Sequence, residues 1–162
     1  MDDAPIIRSG HLQQGAVPPD FGFEAEGVSI LLSEMRDCFR VLLAFCPKGV
    51  GKECEDGMRA ARDSWPEFQD RDLVLIVVSP TDEDTLAQLG TAESLPAILV
   101  SDEGGDVFAA YGIRDTPVVY LIGKDGTAKA YWDHWPSNEE AFALIDAMPM
   151  RQAEVVEHRQ AA

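Results

Sequence analysis

Two short apolar runs with a helical stripe between them constrain the fold of this chain more than any other feature. The runs are Phe39–Phe45 and Leu73–Val78. Each is apolar at nearly every consecutive position, which is typical of a strand buried on both faces of its sheet. Between them, Cys54, Met58 and Ala61 recur at the spacing that places side chains on one face of a helix. The segment therefore predicts a strand, a helix and a second buried strand.

The rest of the chain continues this alternation and then ends in a hairpin. The further predicted elements are a short helix over Val28–Met35, a helix over Thr81–Gly90 with Thr81 as its N-cap, a strand over Ala97–Val100, a helix over Asp106–Tyr111, strands over Val118–Ile122 and Thr127–Trp132, and a helix that Ser137 caps. The Asp125-Gly126 pair between the last two strands is a hairpin signal. This order predicts an α/β domain with a central mixed β-sheet, helices on both faces, and a C-terminal β-hairpin plus helix.

The length of 162 residues suits one domain. Residues 1–26 are rich in glycine and proline with little periodicity, so we expect an irregular N-terminal lead-in. Residues 27–150 form the predicted domain. Residues 151–162 form a charged C-terminal tail.

Charge excludes two classes of partner. The chain has 29 acidic and 13 basic residues and a formal net charge of −16. Such a surface repels phosphate backbones and anionic headgroups, so we expect neither a nucleic acid nor a membrane as partner. The start of the chain has no charged-then-apolar leader pattern, which predicts a cytoplasmic protein. The three histidines and three cysteines form no zinc pattern, so we expect no metal and no cofactor.

Three segments carry a resemblance to known families. They are residues 96–113, the Thr116-Pro117 pair with the VVYLIGKDG run after it, and residues 142–151. The first resembles peroxiredoxins and related thioredoxin-like proteins, and the second resembles the thioredoxin-family turn whose proline is cis. The third, with LIGKDG and residues 70–74, resembles P-DUDES, a bacterial domain family of unknown function. The resemblance implies a thioredoxin-like fold over roughly residues 28–155, and it implies chemistry less strongly than fold.

Cys54 is the candidate catalytic residue. The segment from Pro47 to Cys54 is similar to the peroxiredoxin motif PxxxTxxC, which implies that Cys54 is the peroxidatic cysteine. A cysteine in the first helical turn faces the positive end of the helix dipole, and this favours the nucleophilic thiolate. Two positions depart from the family pattern. Gly51 stands in place of the peroxide-orienting threonine, and Thr116-Pro117 stands where the family has an arginine.

Each cysteine has an alternative interpretation as a structural residue. Cys54 is also the first apolar residue of a core-facing stripe, and free cysteine is commonly buried. Cys46 either pairs with Cys54, as a resolving thiol or in a regulatory disulfide, or is a small buried residue at a strand end. We expect Cys38 to be structural. The sequence leaves open whether Cys46 and Cys54 form a disulfide.

The candidate substrate-binding residues are Thr116, Pro117 and Arg114. The resemblance implies a cis Pro117 that shapes an edge beside the helix of Cys54, with Arg114 nearby. The alternative is a trans proline that starts a strand. A cluster of Trp132, His134 and Trp135 is a candidate contact surface or general acid–base site, although such clusters more often cover a sheet edge.

Two functional hypotheses follow. The first is a thiol-dependent oxidoreductase of the peroxiredoxin type that uses Cys54 and an external thiol. The second is a non-catalytic thioredoxin-fold module that binds a protein partner. The sequence gives no substrate, no named partner and no oligomeric state.

Overall fold

The secondary structure follows the order that the apolar runs predict. The structure is a computed structural model that describes residues 7–8 and 11–161. The strands are β1 (Ile7–Arg8), β2 (His11–Leu12), β3 (Gly22–Ala25), β4 (Val28–Leu31), β5 (Arg40–Phe45), β6 (Leu73–Ser79), β7 (Ile98–Ser101), β8 (Val118–Ile122) and β9 (Ala128–Trp132). The helices are α1 (Lys52–Asp63), α2 (Trp65–Asp70), α3 (Glu83–Glu93), α4 (Asp106–Tyr111), α5 (Asn138–Asp146) and α6 (Pro149–Ala161), and a 3₁₀ turn covers Leu32–Met35.

A five-stranded mixed sheet forms the centre of the fold, in the order β7-β6-β5-β8-β9. The two apolar runs of the sequence are β5 and β6, which pair in parallel, and β7 joins β6 in parallel on the other side. The C-terminal hairpin adds β8 antiparallel to β5 and then β9. The predicted mixed sheet with its C-terminal hairpin is therefore confirmed.

Both faces of the sheet are buried, which explains why β5 is apolar throughout. Side chains alternate along a strand. Leu42 and Ala44 accordingly pack in one cluster with residues of α1, α2, α3 and α5. Leu43 and Phe45 pack in a second cluster with residues of α4, the 3₁₀ turn and the N-terminal strands. Helices thus lie on both faces, as predicted.

The predicted helix over Val28–Met35 is wrong over its first half, and its second half is the 3₁₀ turn Leu32–Met35. Residues Val28–Leu31 instead form β4, which pairs antiparallel with β3. The two residues between these strands, Glu26 and Gly27, have φ of 52° and 79°. Positive φ at both central positions is the requirement of the tight hairpin turn whose twist matches the flanking strands. Part of the predicted irregular lead-in is therefore β-structure, whereas its residues 1–6 and 9–10 lie outside the described residues.

The caps of two later helices can be compared directly with the sequence. Thr81 is not the N-cap of α3, because Asp82 holds that position and its carboxylate accepts the Thr85 N–H at 3.0 Å. Ser137 caps α5 as predicted, by accepting the Glu140 N–H at 3.1 Å. The Thr81 hydroxyl is consequently free to make other bonds, which are described below.

The C-terminal segment is a helix, α6, that docks onto the end of the sheet through a buried ionic cluster. Arg40, at the start of β5, is 1% exposed and donates to both carboxylate oxygens of Glu154, at 3.1 and 3.2 Å. Lys124 donates to Glu154 at 2.6 Å and to Asp72 at 2.8 Å. These bonds fix α6 to the buried start of β5 and to the turn between β8 and β9. The division of the chain at residues 26 and 150 stays a prediction.

No helix among residues 7–8 and 11–161 is both long enough and apolar enough to cross a bilayer.

Candidate active site

The two cysteines of interest lie at the carboxyl end of β5 and at the start of α1. Cys46 directly follows β5 and extends its ladder, because its N–H donates to the Val78 carbonyl at 2.9 Å. Cys54 is the third residue of α1. The parallel pairing of β5 and β6 brings the ends of both strands to the same edge of the sheet, beneath this helix.

Cys46 and Cys54 are joined by a disulfide, with their Cα atoms 6.3 Å apart. This Cα separation lies in the usual range for disulfides. The side chains are buried, with Cys46 0% and Cys54 1% exposed. The structure thus pairs two residues whose pairing the sequence leaves open, and both also belong to the core cluster beneath α1.

A tight loop, residues 47–51, connects Cys46 to the start of α1. Gly49, Val50 and Gly51 have φ of 79°, 71° and 84°. Positive φ is strained for a β-branched residue such as valine. The Val50 side chain is nevertheless 1% exposed, and its N–H donates to the Pro47 carbonyl at 2.8 Å. Burial of this side chain and the bonds around it therefore hold the loop in its unusual conformation.

Two hydroxyl groups at the end of β6 contact this loop. Ser79 donates to the Pro47 carbonyl at 2.9 Å. The Gly49 N–H donates to the Thr81 hydroxyl oxygen at 2.8 Å. The two hydroxyl oxygens lie 2.7 Å apart. We refer to Ser79 and Thr81 together as the hydroxyl pair.

Cys54 lies in the first turn of α1. The N-cap of this helix is Gly51, and no side chain of the described residues caps it. The lysine of this first turn is engaged elsewhere. Lys52 donates to Asp56 at 2.7 Å and thereby lowers the pKa of that carboxyl. Backbone N–H groups and the helix dipole are thus the features that favour a thiolate at Cys54.

The Thr116-Pro117 peptide bond is cis, as the resemblance implies. Phe45 is the Cα partner of Val118 in the antiparallel pair of β5 and β8. Because antiparallel partners run in opposite directions, the residues that follow Phe45 and precede Val118 meet at the same sheet edge. Pro117 therefore belongs to the edge that carries Cys46. Arg114 is exposed and makes no ion pair with any described residue.

The segment after β9 packs against α1. Trp135 lies on Gly57 so closely that a Cβ at this glycine would overlap the indole ring. The Trp135 N–H also donates to Glu53, the residue before Cys54, at 2.8 Å. Trp132 is buried, and its indole N–H donates to Glu140 at 2.9 Å, whereas His134 is exposed. The cluster therefore covers the core and the first turns of α1.

Cys38 differs from the structural role expected of it. It is a free, exposed thiol just before β5, at the opposite end of that strand from Cys46. Within the described part of the chain, no group of three His, Cys, Asp or Glu side chains could hold a metal ion.

The hydroxyl pair is the part of this site that sequence reasoning missed. Both residues lie about thirty positions from the loop that they contact. Ser-Pro-Thr after an apolar strand reads as an ordinary turn and helix start. The only signal available was their place at the carboxyl end of the strand beside β5.

Comparisons of this chain with known proteins agree on one family. Residues 15–131 match the model of the AhpC/TSA family. "Peroxiredoxin Q, chloroplastic" from Gentiana triflora is 25% identical over 142 residues, which cover 81% of this chain and 64% of that protein. The protein of the same name from Triticum aestivum is 29% identical over 108 residues, which cover 66% of this chain and 49% of that protein. The chain thus spans less than two thirds of the length of the curated relatives that it matches.

A solved structure supports the fold independently. The crystal structure of "Peroxidoxin BcpB from Mycobacterium tuberculosis" has a TM-score of 0.75 and 21% identity, covering 85% of this chain and 99% of that one. A match at this identity shows the thioredoxin-like fold.

Proposed function

Because this chain belongs to the AhpC/TSA family, we propose that it is a thiol-dependent oxidoreductase that reduces peroxides with Cys54. The observation that carries this proposal is the bond between Cys54, in the first turn of α1, and Cys46, at the end of β5. A peroxidatic cysteine needs a helix N-terminus to favour its thiolate and a second thiol within reach, and these two residues meet both needs.

The proposed cycle has three balanced steps. The Cys54 thiolate attacks a peroxide oxygen and the O–O bond breaks; with one proton taken from solvent, an alcohol or water leaves as Cys54 becomes a sulfenic acid. The Cys46 thiol then condenses with the sulfenic acid, which forms the disulfide and releases water. Finally, two equivalents of an external thiol reduce the disulfide to two thiols and are themselves oxidised to a disulfide.

Two features of the chain set it apart from the family pattern. Gly51, at φ 84°, stands where the peroxide-orienting threonine is expected, and threonine rarely adopts that conformation. Arg114 is exposed, and Pro117 occupies the place of the family's arginine. Orientation of the peroxide then depends on the backbone N–H groups at the start of α1.

The test is peroxide consumption by purified protein with dithiothreitol as the reductant. We expect Cys54→Ser to fall to the uncatalysed rate and Cys38→Ser, the matched control at a free thiol, to equal wild type. Reduced Cys46→Ser, freed of dithiothreitol before peroxide is added, should consume one equivalent of peroxide and stop with a sulfenic acid on Cys54, read by mass spectrometry. Equal rates for wild type and Cys54→Ser would show that the proposed catalysis is wrong.

A non-catalytic binding module is the second candidate. The burial of both sulfur atoms and the two departures at Gly51 and Pro117 favour it. Its proposed contact region is the edge that carries Thr116 and Pro117. In that case Cys54 would not react with hydrogen peroxide even after the disulfide is reduced, whereas the oxidoreductase would show a rapid loss of free thiol.

Finer assignments stay predictions. They are membership of the P-DUDES family, a cytoplasmic location and the identity of the thiol or protein partner.

A further inference from the structure

The hydroxyl pair contacts the disulfide loop at two points. Ser79 is 0% and Thr81 4% exposed. Their oxygens contact the carbonyl of Pro47 and the N–H of Gly49, and both groups lie within the 47–51 loop between Cys46 and α1. The segment that carries Thr81 is itself fixed to the end of β7, because the Ser101 hydroxyl donates to the Thr81 carbonyl at 2.6 Å.

The direction of each bond follows from the number of protons available. A hydroxyl group has one proton to donate. Pro47 offers only a carbonyl, so the Ser79 proton goes to it. Thr81 must then donate its own proton to the Ser79 oxygen, while it accepts from Gly49. The bonds form one directed chain, from the Gly49 N–H through Thr81 and Ser79 to the Pro47 carbonyl.

We propose that this hydroxyl pair is a positioning element that sets the redox equilibrium of the Cys46–Cys54 disulfide. The chain of bonds holds the 47–51 loop in the conformation that keeps both sulfur atoms together. Lys48 and Gly49 are exposed, so a released loop would be solvated readily and would hold the two sulfurs less closely. The proposal rests on the proposed function only in that the cysteine pair cycles between disulfide and dithiol.

The predicted direction follows from the reaction itself. Two dithiothreitol sulfurs are oxidised to the cyclic disulfide as the Cys46–Cys54 bond is reduced to two thiols. Weakening the loop lowers the effective concentration of one cysteine thiol near the other, and this favours the dithiol. Loss of one net hydrogen bond corresponds to about a 3- to 10-fold change in the equilibrium constant.

The experiment measures the reduction potential of the pair in dithiothreitol redox buffers, with alkylated thiols counted by mass spectrometry. Thr81→Val removes the hydroxyl at nearly constant shape. We expect its equilibrium constant to shift about 3- to 10-fold toward the dithiol, a potential about 15 to 30 mV less negative. Thr81→Ser should restore the wild-type value. Thr85→Val is the matched control, because that hydroxyl bonds to Asp82 and not to the loop.

A second pair of variants tests whether the bonds act as one chain. Ser79→Ala should shift the potential in the same direction, and combining it with Thr81→Val should shift it by less than the sum. Folded Thr81→Val and Ser79→Ala proteins with the wild-type potential would overturn the proposal, as would a Thr81→Ser protein that behaves like Thr81→Val. No peroxide is used, so these results are independent of whether the protein is a peroxidase.

Discussion

Removal of the Glu154 carboxylate is expected to destabilise the protein strongly, because this group neutralises a buried arginine. Arg40 is 1% exposed and has only one other described acceptor, the Arg71 carbonyl at 2.8 Å. Its Nε atom already has no hydrogen-bond partner among the residues that the structure describes. The variant Glu154→Ala leaves the Arg40 guanidinium buried without its counter-ion. Among the described residues, it leaves Lys124 with Asp72 as its one ion-pair partner.

The magnitude can be worked from these contacts. Breaking one partner of a buried ion pair costs about 3–5 kcal/mol. The side chain of Glu154 is 19% exposed, and Arg40 keeps its bond to Arg71, so the lower end of that range applies. We therefore expect a loss of about 3 kcal/mol, which corresponds to a decrease of about 6–12 °C in Tm for a chain of this length.

The effect should depend on pH with a definite sign. Burial raises the pKa of Glu154, but hydrogen bonds from Arg40 and Lys124 outweigh it and hold that pKa below its ordinary 4.5. A lowered pKa in the folded state stabilises the protein above the ordinary value, and this stabilisation is lost as pH falls through the lowered value. The difference between wild type and Glu154→Ala should thus be constant near neutral pH and shrink well below pH 4.5.

Urea unfolding followed by far-UV circular dichroism at neutral and acid pH measures both quantities. Glu157→Ala is the matched control, because Glu157 is an exposed glutamate of the same helix. A loss below about 1 kcal/mol for Glu154→Ala, or a loss equal to that of the control, would refute the reasoning about the buried pair.

Three further predictions concern the candidate site. Reducing the Cys46–Cys54 disulfide should lower the free energy of unfolding by about 2.5 kcal/mol, because the closed loop at a sequence separation of 8 no longer restricts the unfolded chain. Urea titration with and without reductant measures this loss, and identical curves would contradict the prediction. Gly57→Ala should displace Trp135, cost about 1–3 kcal/mol and change the tryptophan emission, so an unchanged spectrum would argue against the contact. Gly51→Thr should cost about 1–3 kcal/mol from strain at positive φ, measured by thermal unfolding, and an equally stable variant would show that the loop adapts.

The central fold could be predicted because the information is local. Residues Phe39–Phe45 and Leu73–Val78 are apolar on both faces, and a sheet covered on both sides requires that pattern. The β3–β4 hairpin was missed because its strands are short and partly exposed, so neither alternation nor apolar content marks them. Its clearest signal was Glu26-Gly27, the two-residue turn between the strands.

The spacing of residues along the chain predicts only the cysteine part of the site. The distance along the chain from Pro47 to Cys54 pointed to the reactive helix, and Cys46 lay close enough to be considered as a partner. The hydroxyl pair could not be found in this way, because its bonds to the loop depend on which strand ends lie side by side. The burial of Arg40 likewise depends on α6, whose docking is set by Glu154 and Arg151 rather than by an apolar stripe.

The exposed position of Cys38 makes the redox state of this protein directly countable. In the disulfide form Cys38 is the one free thiol of the three cysteines, all of which lie in the described part of the chain. A maleimide added to the native oxidised protein should therefore attach once, and after reduction and unfolding it should attach three times. A fluorophore attached to Cys38 would lie at the far end of β5 from the disulfide and would leave that bond intact. The single label on Cys38 also serves as an internal standard for the number of thiols labelled in each molecule.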